Sequence, residues 1–177
     1  MSLHYENLDA ETRAQMGAEL SADIATGRLY ISPRLNDNGV AVWPTLLGDA
    51  IAAHDDTWLA AQIRGRGLLK SHEERRKPKG GTTLAQVPTN AHEVLAEGEF
   101  NRFYVRGVCL RAMQANISQV VAYRARHSDN PRPESEAIVG TGFAPEALLN
   151  DLRSSTGVQP ALGVPPGPNS GLSVRLP

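Results

Sequence analysis

Seven basic side chains, Arg64, Arg66, Lys70, Arg75, Arg76, Lys77 and Lys79, fall within sixteen consecutive positions of this 177-residue chain and include every lysine it has. Guanidinium and ammonium groups packed this densely suit phosphate oxygens or an acidic protein surface, with affinity that falls as salt rises. No Phe, Tyr or Trp stands between Arg64 and Phe100, so a platform that stacks single-stranded bases is not expected. The alternative occupant of this segment is the acidic N-terminal third of the same chain. A second constellation, Glu99, Arg102 and Arg106, repeats at helical spacing on one face. It would serve as an intrahelical salt-bridge network or, with His92, as the rim of an enzymatic pocket.

Other motifs are missing. The five histidines, His4, His54, His72, His92 and His127, form no HxxxH or HExxH pattern, and three adjacent residues such as His54-Asp55-Asp56 diverge on a helix, so no metal site is expected. Gly140-Thr141-Gly142 resembles the start of a dinucleotide loop, but Pro145 stands where Gly or Ala is required. Lys77 to Thr83 has the residue types of a phosphate loop in the wrong order, and no GxSxG anchors a hydrolase triad. No catalytic residue, metal or small-molecule cofactor is therefore assigned. Cys109 is the single cysteine, which excludes an internal disulfide and favours a reducing, cytoplasmic setting. No run of about 18 apolar residues and no signal-like leader is visible, so no membrane association is expected.

The net charge of −1 conceals segregation. Residues 1–63 hold three arginines against nine acids, residues 64–126 twelve bases against five acids, and residues 127–177 three arginines against five acids. Such imbalance points to an electrostatic partner within the chain or outside it.

The elements that must position these groups follow from periodicity. Asp9 to Thr26 is predicted as a helix with Met16, Leu20 and Ile24 on one face and Gly27 as its stop. Asn38-Gly39 between Arg28–Ser32 and Val40–Trp43 predicts a β-hairpin. Pro44 suits the first turn of a helix carrying Leu47, Ile51, His54 and Trp58, with Asp55-Asp56 a cap or a wet face, and Gly65 and Gly67 ending it. Residues 64–88 read as a loop, because Pro78, Gly80, Gly81 and Pro88 oppose regular structure. Asn90 and Glu93 open a long helix, about 89–117, apolar on most sides; Gly98 and Gly107 imply close contacts, and Arg111 would pair with Glu134 or Glu136. Ser118–Arg126 is a strand, Ile138-Val139 a short one, and Pro145–Ser154 a last helix.

The expected fold is α+β: one domain, residues 1–156, with about four helices around the long buried one and a small antiparallel sheet. An extended Pro/Gly-rich arm, residues 157–177, follows; no packed element is expected from its composition, and its apolar residues would lay it along a surface, its own or a neighbour's. Its apolar residues Leu162, Val164, Leu172, Val174 and Leu176 would make subunit contacts. The expected function is a non-catalytic assembly subunit of a larger phage-like or nucleoprotein complex, homo-oligomeric or multi-subunit. A nucleic-acid-binding regulator acting through residues 64–79, and a small enzyme around Glu99, Arg102 and Arg106, are the alternatives.

Overall fold

The computed structural model describes residues 3–78, 80–127, 129, 133–155 and 171–177. Among them the chain forms α1 (Ala10–Ala25), α2 (Asp37–Ala53), α3 (Asp56–Gly65), β1 (His72–Arg76), β2 (Thr82–Gln86), α4 (Ala91–Gln114), β3 (Val120–Arg124), α5 (Pro133–Ile138), β4 (Gly142–Phe143), α6 (Pro145–Ser154) and β5 (Leu172–Arg175). The fold is α+β. The long α4 packs against α1, α3 and α6, and two small antiparallel sheets flank this bundle: β1-β2, and β4-β3-β5 with β3 in the centre.

The apolar circumference of α4 explains its place. Phe100, Tyr104, Val108, Cys109 and Ala112 are fully buried, and Phe103 nearly so. Each large side chain contributes roughly 1.5–3 kcal/mol by leaving water, so a helix with apolar residues on most sides is stable only when surrounded. Asp9 caps α1 by accepting from Thr12 N at 3.0 Å, and Asp55 caps α3 by accepting from Trp58 N at 2.9 Å. Asn90 makes no such bond at the start of α4, contrary to the expected capping box.

Gly107 marks the tightest approach of α1 to α4. A Cβ there would lie 2.8 Å from Met16 Cγ and 3.0 Å from the carbonyl oxygen of Thr12, whereas a Cβ on Gly98 would meet nothing within 4 Å. Gly107→Ala is therefore expected to cost about 1–2 kcal/mol despite its better helix propensity. Gly98→Ala should be neutral or stabilise by up to about 1 kcal/mol. Paired urea melts distinguish the two; a Gly107→Ala protein as stable as the Gly98→Ala protein would refute the close packing.

Several expectations are corrected. Residues 37–43 are helix, not the second strand of a hairpin. Asn36 caps α2 by accepting from Gly39 N at 2.9 Å, and its Nδ2 donates to Gly67 O at 2.8 Å. Gly39 is needed because a Cβ would sit 2.4 Å from Leu68 O, which is close approach and not turn geometry. Pro44 lies inside α2, beyond its first turn. Residues 64–88 are not a loop. Arg64 belongs to α3, and β1 and β2 pair from His72↔Gln86 to Arg76↔Thr82, with Gly80 (φ +92°) and Gly81 (φ +81°) in the connection. Ile138 ends α5 instead of forming a strand.

The C-terminal ribbon corrects a larger expectation. Residues 172–175 form β5 against β3, in register Val121↔Arg175 to Arg124↔Leu172. Gly171 (φ +60°) makes the entry, where any Cβ would lie 2.8 Å from Arg126 O. The alternation of apolar residues there was a strand pattern, and Asn101 completes the docking by donating to Leu172 O at 3.0 Å and accepting from Ser173 Oγ at 2.6 Å.

Candidate functional site

The basic segment is divided by the fold. Arg64 and Arg66 close α3, where Arg66 Nε donates to Gln62 Oε1 at 2.9 Å, and Lys70 Nζ donates to Pro33 O at 2.9 Å. Arg75 pairs with Glu73 at 2.7 Å, and Glu73 is bridged from the body by Arg34 at 2.6 Å. Those two guanidiniums hold the Glu73 carboxyl below its usual range. Arg76 and Lys77 make no side-chain hydrogen bond or ion pair among the described residues; Lys79 lies outside them. The cross-strand register places His72, Glu74, Arg76, Thr82, Leu84 and Gln86 on one face of the hairpin, and all six are exposed, Leu84 at 68%.

Five of the nine acids of the N-terminal third, Glu6, Asp9, Glu11, Glu19 and Asp23, are met by other arginines. Arg106, 2% exposed, reaches from α4 to Glu19 at 2.5 Å and Asp23 at 2.6 Å on α1, and Arg153 of α6 grips Glu19 at 2.5 Å. Arg111 pairs with Asp9 and Glu11, both at 2.8 Å, and not with Glu134 or Glu136; Glu136 takes Arg124 instead. Arg175 pairs with Glu6 at 2.8 Å. Glu99 is 4% exposed, lies 3.6 Å from Arg102, and its Oε2 accepts no hydrogen bond among the described residues. Arg102 donates to the carbonyls of Leu152 and Ser155. The stripe is thus an interhelical clamp, mostly enclosed. Burial pushes the Glu99 carboxyl up to about 7, with Asp23 adding to the rise and Arg102 and Arg106 opposing it.

Of the proposed subunit-contact residues, Leu172 and Val174 are buried within their own chain at 2% and 1%, and Leu176 is half-buried, its amide donating to Asn7 Oδ1 at 2.9 Å. Those side chains are occupied by the intramolecular sheet, while Leu162 and Val164 lie outside the described residues.

A cleft of about 510 Å³ opens between α3 and the first turns of α4, lined by Asp56, Thr57, Ala60, Ala61, Arg64, Gly65, His92, Glu93 and Glu97. Asp56 and Glu97 are buried, at 3% and 5% exposure. Asp56 Oδ2 accepts from Leu3 N at 3.2 Å, and Glu97 Oε2 accepts from Arg126 Nη1 at 2.5 Å. Burial raises the Glu97 carboxyl to about 7; Arg126 opposes the rise and Asp56 adds to it. The Tyr5 hydroxyl is enclosed without a hydrogen-bond partner among the described residues, and burial and then the charges of Asp56 and Glu97 hold its pKa well above the usual value. Sequence reasoning missed this cleft, because Asp56 and Glu97 are distant in the chain and no motif joins them. The described residues contain no group of three or more His, Cys, Asp or Glu placed to hold a metal ion, and no helix long and apolar enough to cross a membrane. Burial pushes the Cys109 thiol up to about 12, which suits a core filler and not a nucleophile.

Comparison of the chain with protein-family models, with curated proteins and with solved structures finds no match.

Proposed function

We propose that this protein is a non-catalytic subunit of a larger nucleoprotein assembly, and that its contact element is the β1–β2 hairpin and not the C-terminal ribbon. One observation carries the proposal: a two-stranded hairpin whose outer face is exposed throughout, with Leu84 uncovered and Arg76 and Lys77 unpaired beside its turn. An isolated two-stranded hairpin is marginal in water, so a covering surface would stabilise it. A two-stranded ribbon also fits the width of a duplex major groove, and unpaired cations near its tip suit phosphates. The charge excess elsewhere is already spent on Glu19, Asp23, Asp9, Glu11 and Glu6, which leaves the hairpin's cations for another molecule.

Fluorescence anisotropy with a 20-base-pair duplex tests this. The full chain should bind at 50 mM salt, and each phosphate contact should add about 0.9 to the slope of log affinity against log salt. Arg76→Glu with Lys77→Glu should weaken binding at least tenfold and lower the slope by about 2. Replacement of residues 72–86 by a short Gly/Ser linker should abolish binding without unfolding the helical body. No binding by the unaltered chain at 50 mM salt overturns the proposal.

A further inference from the structure

We propose that the outer edge of β2 pairs antiparallel with β2 of a second copy of this chain, about a two-fold axis at Leu84, so that two hairpins form one four-stranded sheet. This rests on the reading of the hairpin as the contact element and names its protein partner. The register fixes which backbone groups are free. Val87 N donates to Ser71 O at 3.0 Å and Lys77 N to Gly81 O at 2.9 Å, at the two ends of the β1–β2 ladder. Antiparallel bonds alternate, so Glu73↔Ala85 and Arg75↔Thr83 are the bonded pairs between them, and Thr82, Leu84 and Gln86 turn their N–H and C=O groups outward. Those three residues make no other hydrogen bond among the described residues, and all three are exposed. An open edge of this kind is a template for another strand unless charge or proline blunts it.

Charge selects β2 and its own copy. β1 carries Glu73, Glu74, Arg75 and Arg76, whereas β2, Thr82-Thr83-Leu84-Ala85-Gln86, carries no charge. A two-fold axis beside β1 would set the two Glu74 side chains against each other, and like charges directly opposite are destabilising. The same axis beside β2 sets the two Leu84 side chains together, with Thr82 against Gln86 on either side, and each outward N–H meets an outward C=O. It also covers the Leu84 side chain that the single chain leaves 68% exposed. A two-fold contact closes on itself, whereas pairing of β1 with β2 would leave an edge at every step and propagate. Arg76 and Lys77 lie away from the shared edge, so their phosphate contacts stay open. Four strands spaced about 4.8 Å apart exceed a major groove about 12 Å wide, so the paired form would meet a duplex through those cations and not by inserting a ribbon.

Sedimentation velocity of the full chain from about 1 to about 200 μM, without nucleic acid, tests the association, which mass action makes concentration-dependent. A monomer–dimer equilibrium is expected. Leu84→Lys should weaken it at least tenfold, because two ammonium groups would then face each other; the side chain is exposed, so the fold is not at stake. Cysteine substitutions read the register. Residues of a bonded antiparallel pair lie about 5.5 Å apart at Cα, within disulfide reach. Under oxidised glutathione Leu84→Cys should therefore cross-link two chains at least tenfold faster than Glu74→Cys, whose two copies would lie about 15 Å apart across the shared sheet. Cys109 is buried and takes no part. A chain that stays monomeric throughout that range, assembly beyond the dimer, undiminished association of Leu84→Lys, or equal cross-linking of the two cysteine variants each overturns the pairing. Duplex anisotropy is measured separately, so failure of the dimer and failure of the duplex contact are told apart.

Discussion

Arg106→Ala is expected to lower the stability of the fold by about 3–5 kcal/mol at neutral pH, the usual cost of stranding a buried charge by removing its partner. For a chain of this size that is a fall of roughly 10 °C in melting temperature. The guanidinium makes three hydrogen bonds, Nε to Glu19 and Nη1 and Nη2 to Asp23, and also lies 4.8 Å from the Phe103 ring centroid. Its loss leaves Asp23 without that clamp and Glu19 with Arg153 alone. The deficit should shrink on acidification. In the intact protein burial raises the Glu19 pKa, but hydrogen bonds from Arg153 and Arg106 outweigh it and hold the value below the usual range. A carboxyl depressed in the folded state contributes stability above its unfolded value of about 4.5, and that contribution is lost as pH falls. Without Arg106 there is less to lose, so the two proteins should converge below about pH 4.5. Urea unfolding at pH 7 and pH 4 measures both parts. A deficit under about 1 kcal/mol at pH 7, or one that is equal at the two pH values, would show that the clamp does not hold α1 to α4.

Glu99→Gln is expected to act in the opposite direction. The Glu99 carboxyl is raised to about 7 by burial, more than Arg102 and Arg106 can offset, so the folded protein favours the protonated acid. The sign follows directly. The folded state binds the proton more tightly than the unfolded chain, so this group's contribution to stability falls as pH rises from about 4.5 to about 7 and is constant above. A neutral amide of the same shape removes that fall. Glu99→Gln should match the natural protein near pH 4.5 and exceed it by about 3–4 kcal/mol at pH 8, since one pKa unit corresponds to about 1.4 kcal/mol. Glu97 imposes a slope of the same sign on both proteins, so the difference between them is the quantity to measure. Thermal melts from pH 4.5 to pH 8 decide it. A Glu99→Gln protein less stable at pH 8 would mean that the 3.6 Å pair with Arg102 outweighs desolvation.

These two residues and their neighbours also account for the uneven charge along the chain. The acids of α1 are met by arginines of α4 and α6, whose partners are 83 to 134 positions away in sequence. The stripe of Glu99, Arg102 and Arg106 was visible as a pattern, but its spacing alone reads equally as a surface network, a pocket rim or a buried clamp. The choice depends on whether other helices cover that side of α4, and no local signal encodes that.

What the residues themselves determined is local. The helix over 10–25 follows from its spacing and the Asp9 cap, and Pro145 to Ser154 is helical for similar reasons. The burial of α4 follows from an apolar surface too wide to leave wet, and the strand at 120–124 from its β-branched residues. Tertiary structure decided the remainder. Asn38-Gly39 joined a helix because Asn36 could satisfy both its own amides and the end of α3, and because Leu68 O needed the space a side chain would take. The final ribbon became a strand because β3 offered it an open edge, and the cleft exists because packing α3 against α4 brings Asp56 and Glu97 to one wall. Periodicity records which faces avoid water; which faces then meet is a property of the whole chain, summed over contacts between residues that are far apart along it.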